Sequence, residues 1–180
     1  MSLKPSYQLM NAGEVHDALN TLADQIVAAN GGRPVVLVGI QRRGIPMAQR
    51  MAKRIAETTG TAPEMGILDI NLYRDDLTMV ATQPVIHRTA IPPGTEDKDV
   101  VLVDDVLYTG RTTLAALREL MDFGRMRSIQ LAVFVDRGHR ELPIEATFAS
   151  RRIPTKDTEV VEVRMMEIDG EDAIYVMEKA

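Results

Sequence analysis

Asp104 and Asp105 stand side by side after the apolar run Val100, Val101, Leu102, Val103, and the chain then passes through Val106, Leu107 and Tyr108 into Thr109, Gly110, Arg111, Thr112 and Thr113. Neighbouring carboxylates can accept hydrogen bonds from a vicinal diol. A hydroxyl- and glycine-rich turn that opens onto a helix offers backbone N–H groups, hydroxyls and a guanidinium to an anion. A diol at one end and a phosphate at the other describe a ribose 5-phosphate. The same Asp pair, taken alone, could simply end a strand and cap a helix. Two competing phosphate motifs are absent, since no GxxxxGK[ST] occurs and no GxGxxG follows a strand.

Other groups gather around comparable breaks. Gly39–Ile40–Gln41–Arg42–Arg43–Gly44 lies between an apolar run and a helical pattern, so Arg42 and Arg43 can meet a diphosphate there or simply face solvent. Asn71-Leu72-Tyr73-Arg74-Asp75-Asp76-Leu77 begins a polar stretch without a period, suited to a charged flap that keeps water from a reactive sugar. Asp136-Arg137-Gly138-His139-Arg140 follows another apolar run, where Arg137 could donate to a carbonyl of a planar ligand. His139 reads as a surface or capping histidine and is assigned no catalysis.

These loops need strands and helices to position them. Val15, Leu19, Leu22, Ile26 and Ala29 have helical spacing and predict a helix over 14–30, stopped by Gly31 and Gly32. Val35 to Ile40 predicts a buried strand, Gly44 to Thr59 a helix, and Met65 to Tyr73 a strand leading into an arm that returns over Val85 to Ile91. Val100 to Val103, a helix over 111–122 and a strand over Ile129 to Val135 follow, with short strands at Ala146 to Phe148, Val160 to Val163 and Ile174 to Met177. Alternating strand and helix predict an α/β fold with a mainly parallel sheet, whose ligands gather beyond the carboxyl ends of its strands.

Composition narrows the function. The 180 residues suit one domain over 1–180, long enough to bury about 70% of the unfolded surface. With no Cys, a disulfide framework and thiolate chemistry are excluded, and His16, His87 and His139 have no metal-ligand spacing. No stretch approaches the roughly 18 apolar residues of a membrane span, and no secretory leader pattern opens the chain, so a cytoplasmic location is expected. A net charge of −5 makes no general case for nucleic acid, but residues 111–156 hold nine Lys and Arg against five acids, which leaves room for a basic surface.

Together, LYRDDL, VLVDDVLYTGRT and VDRGHRELPI, with IPT near Ile153, resemble the type I phosphoribosyltransferases. Within them the chain closely resembles one branch, the bifunctional pyrimidine operon attenuation regulators and uracil phosphoribosyltransferases. The likeness spans nearly the whole chain. It implies the type I phosphoribosyltransferase fold, a central, mainly parallel sheet flanked by helices, with a β-arm flap and a small hood. It also implies transfer of ribose 5-phosphate from 5-phosphoribosyl diphosphate (PRPP) to uracil, giving UMP and pyrophosphate, with Mg²⁺ carried on the substrate and reached by Asp104 and Asp105 at most through water.

By the same resemblance, Asp104, Asp105 and Arg137 are the catalytic candidates, and Asp104 through Thr112 bind PRPP. Arg42, Arg43 and Arg74 would hold pyrophosphate, and Arg137 with the backbone near Val161 would hold uracil. Family members also bind their operon's leader messenger RNA when UMP is bound, and they form dimers or larger homo-oligomers. Arg140, Arg151, Arg152 and Lys156 are the candidates for RNA, because no Lys or Arg occurs between Lys4 and Arg33 and Glu145 follows ELPI. A phosphoribosyltransferase that has lost RNA binding is the alternative.

Overall fold

The computed structural model describes residues 3–70 and 89–179. Five parallel strands form the main sheet: β2 (Val35–Ile40), β3 (Glu64–Leu68), β4 (Asp99–Leu107), β5 (Ser128–Asp136) and β6 (Phe148–Arg152), in the order β3-β2-β4-β5-β6. Helices α1 (Ala12–Ala29), α2 (Gly44–Thr59) and α3 (Arg111–Met121) flank it. A second, antiparallel sheet, β1-β8-β7, joins β1 (Leu3–Met10) and β8 (Ala173–Lys179) to β7 (Glu159–Arg164), with a one-turn helix α4 (Met166–Asp169) between β7 and β8. This is the hood.

The central strands are apolar on both faces because both faces are covered. Val35, Leu37, Val101, Val103, Ala132 and Phe134 pack with α1, α2 and the hood residues Val161, Val163 and Ile174. Val36, Val38, Ile40, Val100, Leu102 and Val133 pack on the other side with Ala115, Ala116 and Leu120 of α3. Val100 to Val103 are fully buried, each side chain contributing about 1.5–3 kcal/mol of transfer free energy.

Helix α1 starts at Ala12, two residues before the expected start at 14, at a capping box. The Asn11 side chain accepts from the Glu14 N–H (3.1 Å), and the Glu14 carboxylate accepts from the Asn11 N–H (2.8 Å). At its other end Asn30 donates to Ile26 O and exchanges amide hydrogen bonds with Gln130 on β5 (3.0 and 3.1 Å).

Several expectations shift. Strand β4 runs on through Asp104 and Asp105 to Leu107, because β5 stays paired with it as far as Leu107 opposite Asp136, whereas β2 leaves it after Gly39 opposite Val103. The strand expected at Ala146 begins instead at Phe148, where pairing with Ala132 starts. β3 ends at Leu68 rather than reaching Tyr73. An antiparallel bridge between Ile67 and Ala90 brings the chain back beside β3. The arm itself, with Arg74 and most of the expected return strand, lies outside the described residues. β1, unforeseen, is a mostly exposed edge strand containing Pro5, so it carries neither a two-face nor an alternating apolar signal.

Candidate active site

Three loops leave the carboxyl ends of adjacent strands β2, β4 and β5, and the first and third contact the hood through Arg43 and Arg137. The first runs over Gln41–Arg42–Arg43 into α2, and its Gln41–Arg42 peptide is cis. Gly44, the first residue of α2, lies directly on β4. A Cβ there would collide with the Val103 carbonyl oxygen and sit 3.5 Å from the Asp104 Cα. Glycine is what lets the Arg43 loop rest against the strand that carries the acidic pair.

On β4, Asp104 is buried and Asp105 half-buried. Their Oδ1 atoms accept from the next residue's backbone N–H, at 2.9 Å for Asp104 and 2.8 Å for Asp105, which fixes both carboxylates relative to the strand. The Arg43 pKa is raised above the ordinary arginine value, first by a hydrogen bond to Asp169 and further by the charge of nearby Asp105, with burial opposing them. The turn after Tyr108 is closed by Gly110, whose φ of 91° is open to glycine and rarely to other residues. The first turn of α3 then presents Arg111 and Thr112 beside Thr109, where the Thr109 hydroxyl accepts from the Arg111 N–H (3.3 Å). A helix N-terminus with a hydroxyl and a guanidinium beside it suits a phosphate dianion.

The third loop folds back on the second. Glu141 and Leu142 N–H groups both donate to Thr109 O (3.0 and 3.2 Å). Arg140 donates to Tyr108 O (2.6 Å), Ile144 O (2.8 Å) and the Asp136 carboxylate (2.5 Å). Arg140 therefore turns its donors inward and holds the two loops together. Arg151 and Arg152 are exposed on the edge strand β6, and Lys156 is exposed in the loop after it.

Arg137 is almost fully buried. Its N–H donates to Leu107 O (3.1 Å), while the guanidinium donates to Thr155 Oγ1 (3.0 Å), Lys156 O (3.3 Å) and Glu159 O (2.6 Å). It also lies 4.2 Å from the centre of the Tyr108 ring. Burial pulls its pKa below the ordinary arginine value, opposed by the charges of neighbouring groups. Arg137 thus ties β5 to the first residue of β7. Val161 follows two residues later, buried and paired with Val176. His139 is spanned by Thr155 O (2.7 Å) and the exposed Asp157 carboxylate (3.1 Å), in line with a structural histidine.

Sequence reasoning missed the acids that fasten the hood. Asp169 makes a two-pronged ion pair with Arg43, Nε to Oδ2 at 3.0 Å and Nη2 to Oδ1 at 2.9 Å. Arg50 of α2 binds both Glu167 and Asp172 at 2.7–2.9 Å. The run EIDGED, within a tail of eight acids and two bases over 157–180, carried the signal. What it lacked was any indication that its partners lay more than a hundred residues earlier.

Three adjacent parallel strands that end in an arginine loop, an acidic pair with an anion turn and a buried arginine tied to the hood have the arrangement of a phosphoribosyltransferase. The chain belongs to that family: its model, a phosphoribosyl transferase domain, matches residues 7–167. Within the family it groups with the bifunctional PyrR proteins, being 54% identical over 173 residues to that of Thermus aquaticus (96% of both chains) and 50% over 174 residues to that of Pelotomaculum thermopropionicum (96% of both). Hypoxanthine phosphoribosyltransferases from Staphylococcus aureus (TM-score 0.71, 23% identity, 97% of this chain and 92% of that one) and Trypanosoma cruzi (TM-score 0.71, 17% identity, 98% of both) share the fold.

Proposed function

We propose that the protein transfers ribose 5-phosphate from PRPP to uracil, releasing pyrophosphate, and that it acts with UMP as an RNA-binding attenuator of a pyrimidine operon. The observation that carries the enzymatic reading is the junction at Gly44, which sets Arg43 against the strand of Asp104 and Asp105, so that one PRPP molecule can span both. In this reading Asp104 and Asp105 accept from the ribose 2- and 3-hydroxyls, and the Thr109–Thr112 turn donates to the 5-phosphate. Arg42, Arg43 and, from outside the described residues, Arg74 draw off the pyrophosphate.

As the bond to the anomeric carbon lengthens, positive charge grows on the ring and negative charge on the leaving group. Fixed carboxylates on one side and guanidiniums on the other favour that separation without a covalent intermediate. Arg137 and the backbone near Val161 orient the base, and the hood limits access of water.

Among the described residues no group of three His, Asp or Glu side chains could cage a metal. Two carboxylates, each with one oxygen already spent on an amide, suit Mg²⁺ that arrives on PRPP and meets the protein through water. When bound, the ion neutralises diphosphate charge.

The regulatory half rests on the family and on exposed Arg151, Arg152 and Lys156, whose charges can meet RNA phosphates. A homo-oligomer, a dimer or larger, goes with it. The first test is formation of UMP from uracil, PRPP and Mg²⁺, with other nucleobases as controls; turnover of a purine in place of uracil would reject the base assignment. The second is titration of labelled pyrimidine leader RNA with and without UMP. Tight, UMP-dependent and salt-sensitive binding is expected, and its absence would favour an enzyme without the regulatory function.

A further inference from the structure

We infer that Asp169, in the hood turn α4, is a positioning residue for PRPP: it grips one edge of the Arg43 guanidinium and so orients it for the pyrophosphate. The inference rests on the reading of the Arg43 loop as the pyrophosphate site.

A free arginine samples many rotamers and loses that freedom when it settles in one. Arg43 has its Nε and Nη2 held by the two carboxylate oxygens of Asp169, a forked geometry that fixes direction as well as distance. The Nη1 group is outside this fork. The pair is largely shielded, with side-chain exposures of 31% for Arg43 and 18% for Asp169, so it is less screened than a surface pair.

Asp169 is itself anchored. Its Oδ2 accepts from the Met165 N–H (2.9 Å), and Arg50 binds Glu167 and Asp172 on either side of it, fixing α4 on α2. Burial alone would raise the Asp169 carboxyl. The Arg43 guanidinium, the Met165 amide and the nearby Arg42 outweigh this and hold it below the ordinary aspartate value, charged at neutral pH. Arg43 thus lies between a hood carboxylate that holds it and Asp105 on β4, whose charge also acts on it.

The test compares Asp169→Asn, Asp169→Glu, Arg43→Ala and the Arg43→Ala, Asp169→Asn double variant by steady-state kinetics in both substrates, with thermal melts alongside. Asp169→Asn is expected to raise the KM for PRPP about tenfold while the KM for uracil stays within about twofold, with partial recovery in Asp169→Glu. In the Arg43→Ala background, Asp169→Asn should add nothing, because the residue acts through Arg43.

An unchanged or lowered KM for PRPP in Asp169→Asn overturns the inference, a lowered value meaning that Asp169 competes with pyrophosphate for Arg43. So does an additive effect in the double variant, or a parallel rise in both KM values tracking a lost melting temperature, which would mark a merely structural role. If Arg43→Ala itself leaves the KM for PRPP unchanged, the loop reading fails and takes the inference with it. If Arg43→Ala raises it and Asp169→Asn does not, the inference alone fails.

Discussion

Replacing Gly44 by alanine should separate the Arg43 loop from β4, and with them the two halves of the proposed PRPP site. The new methyl would meet the Val103 carbonyl oxygen head-on, with the Val103 carbonyl carbon at 3.1 Å and the Asp104 Cα at 3.5 Å. All three are backbone atoms of a strand pinned on its other side by β5, so the strand cannot yield. The start of α2 must lift instead, by on the order of 1 Å, a misplacement that can cost about 10²-fold in rate. Overpacking of this kind costs about 1–3 kcal/mol, and backbone on every side puts Gly44→Ala at the upper end. At 2–4 °C per kcal/mol for a chain of this size, the midpoint of melting should fall by roughly 6–12 °C. Gly60→Ala is the control. Gly60 closes the far end of α2 at φ 78° with nothing within 4 Å of a Cβ, so alanine there should cost about 1–2 kcal/mol of backbone strain and leave kinetics alone. UMP formation at varied PRPP, with melts of both variants, reads the difference. A Gly44→Ala enzyme with normal kcat/KM for PRPP would refute the claim that the loop and strand act as one cradle.

Other changes should be as legible. Asp105→Asn should lower transfer about 10²-fold by removing one fixed charge beside the ribose, measured as kcat/KM for PRPP. Arg137→Ala should raise the KM for uracil more than that for PRPP and also lower the melting midpoint, since it removes the guanidinium that binds Thr155 and Glu159; equal KM effects would remove it from base recognition. Asp99, buried at the amino end of β4, accepts from Ser128 (2.7 Å), Arg127 (3.1 Å) and Arg33 (3.3 Å). The Ser128 hydroxyl and then Arg127 lower its pKa, with burial opposing them. A folded pKa below the unfolded value means that the stabilisation is full above about 3.9 and is lost as pH falls through the folded pKa. Asp99→Asn should therefore cost about 1.5–3 kcal/mol at neutral pH, near the lower figure because both arginines are half-exposed, and its deficit in denaturant melts should shrink in acid.

The parts of the fold written most plainly in the chain were those with local causes. Val35 to Ile40 and Gly44 to Thr59 fall where the apolar run and the 3.6-residue period place them, because each is decided by neighbours a few residues away. The acidic pair and its turn were readable for the same reason. The hood was legible only in part: short apolar runs marked β7 and β8, but β1 is exposed, α4 is a single turn, and both are held by partners distant in sequence. Asp169 looked like one acid in an acidic tail until Arg43 and Arg50 were brought beside it. Arg137 and Arg140 carried the right charge for ligands, but only the folded loops reveal how much of that charge is spent on backbone carbonyls.

The hood sheet is stitched from the two ends of the chain, with Leu3 opposite Lys179 on β1 and β8. The five strands of the main sheet can all pair once Arg152 has been made, whereas β1 must wait for Ala173–Lys179 before it gains a neighbour. On a ribosome emitting about 5–20 residues per second, the main sheet would therefore be complete before its cover. Pairing of β1 with β8 joins segments far apart in sequence, which makes the cover the natural last step of folding.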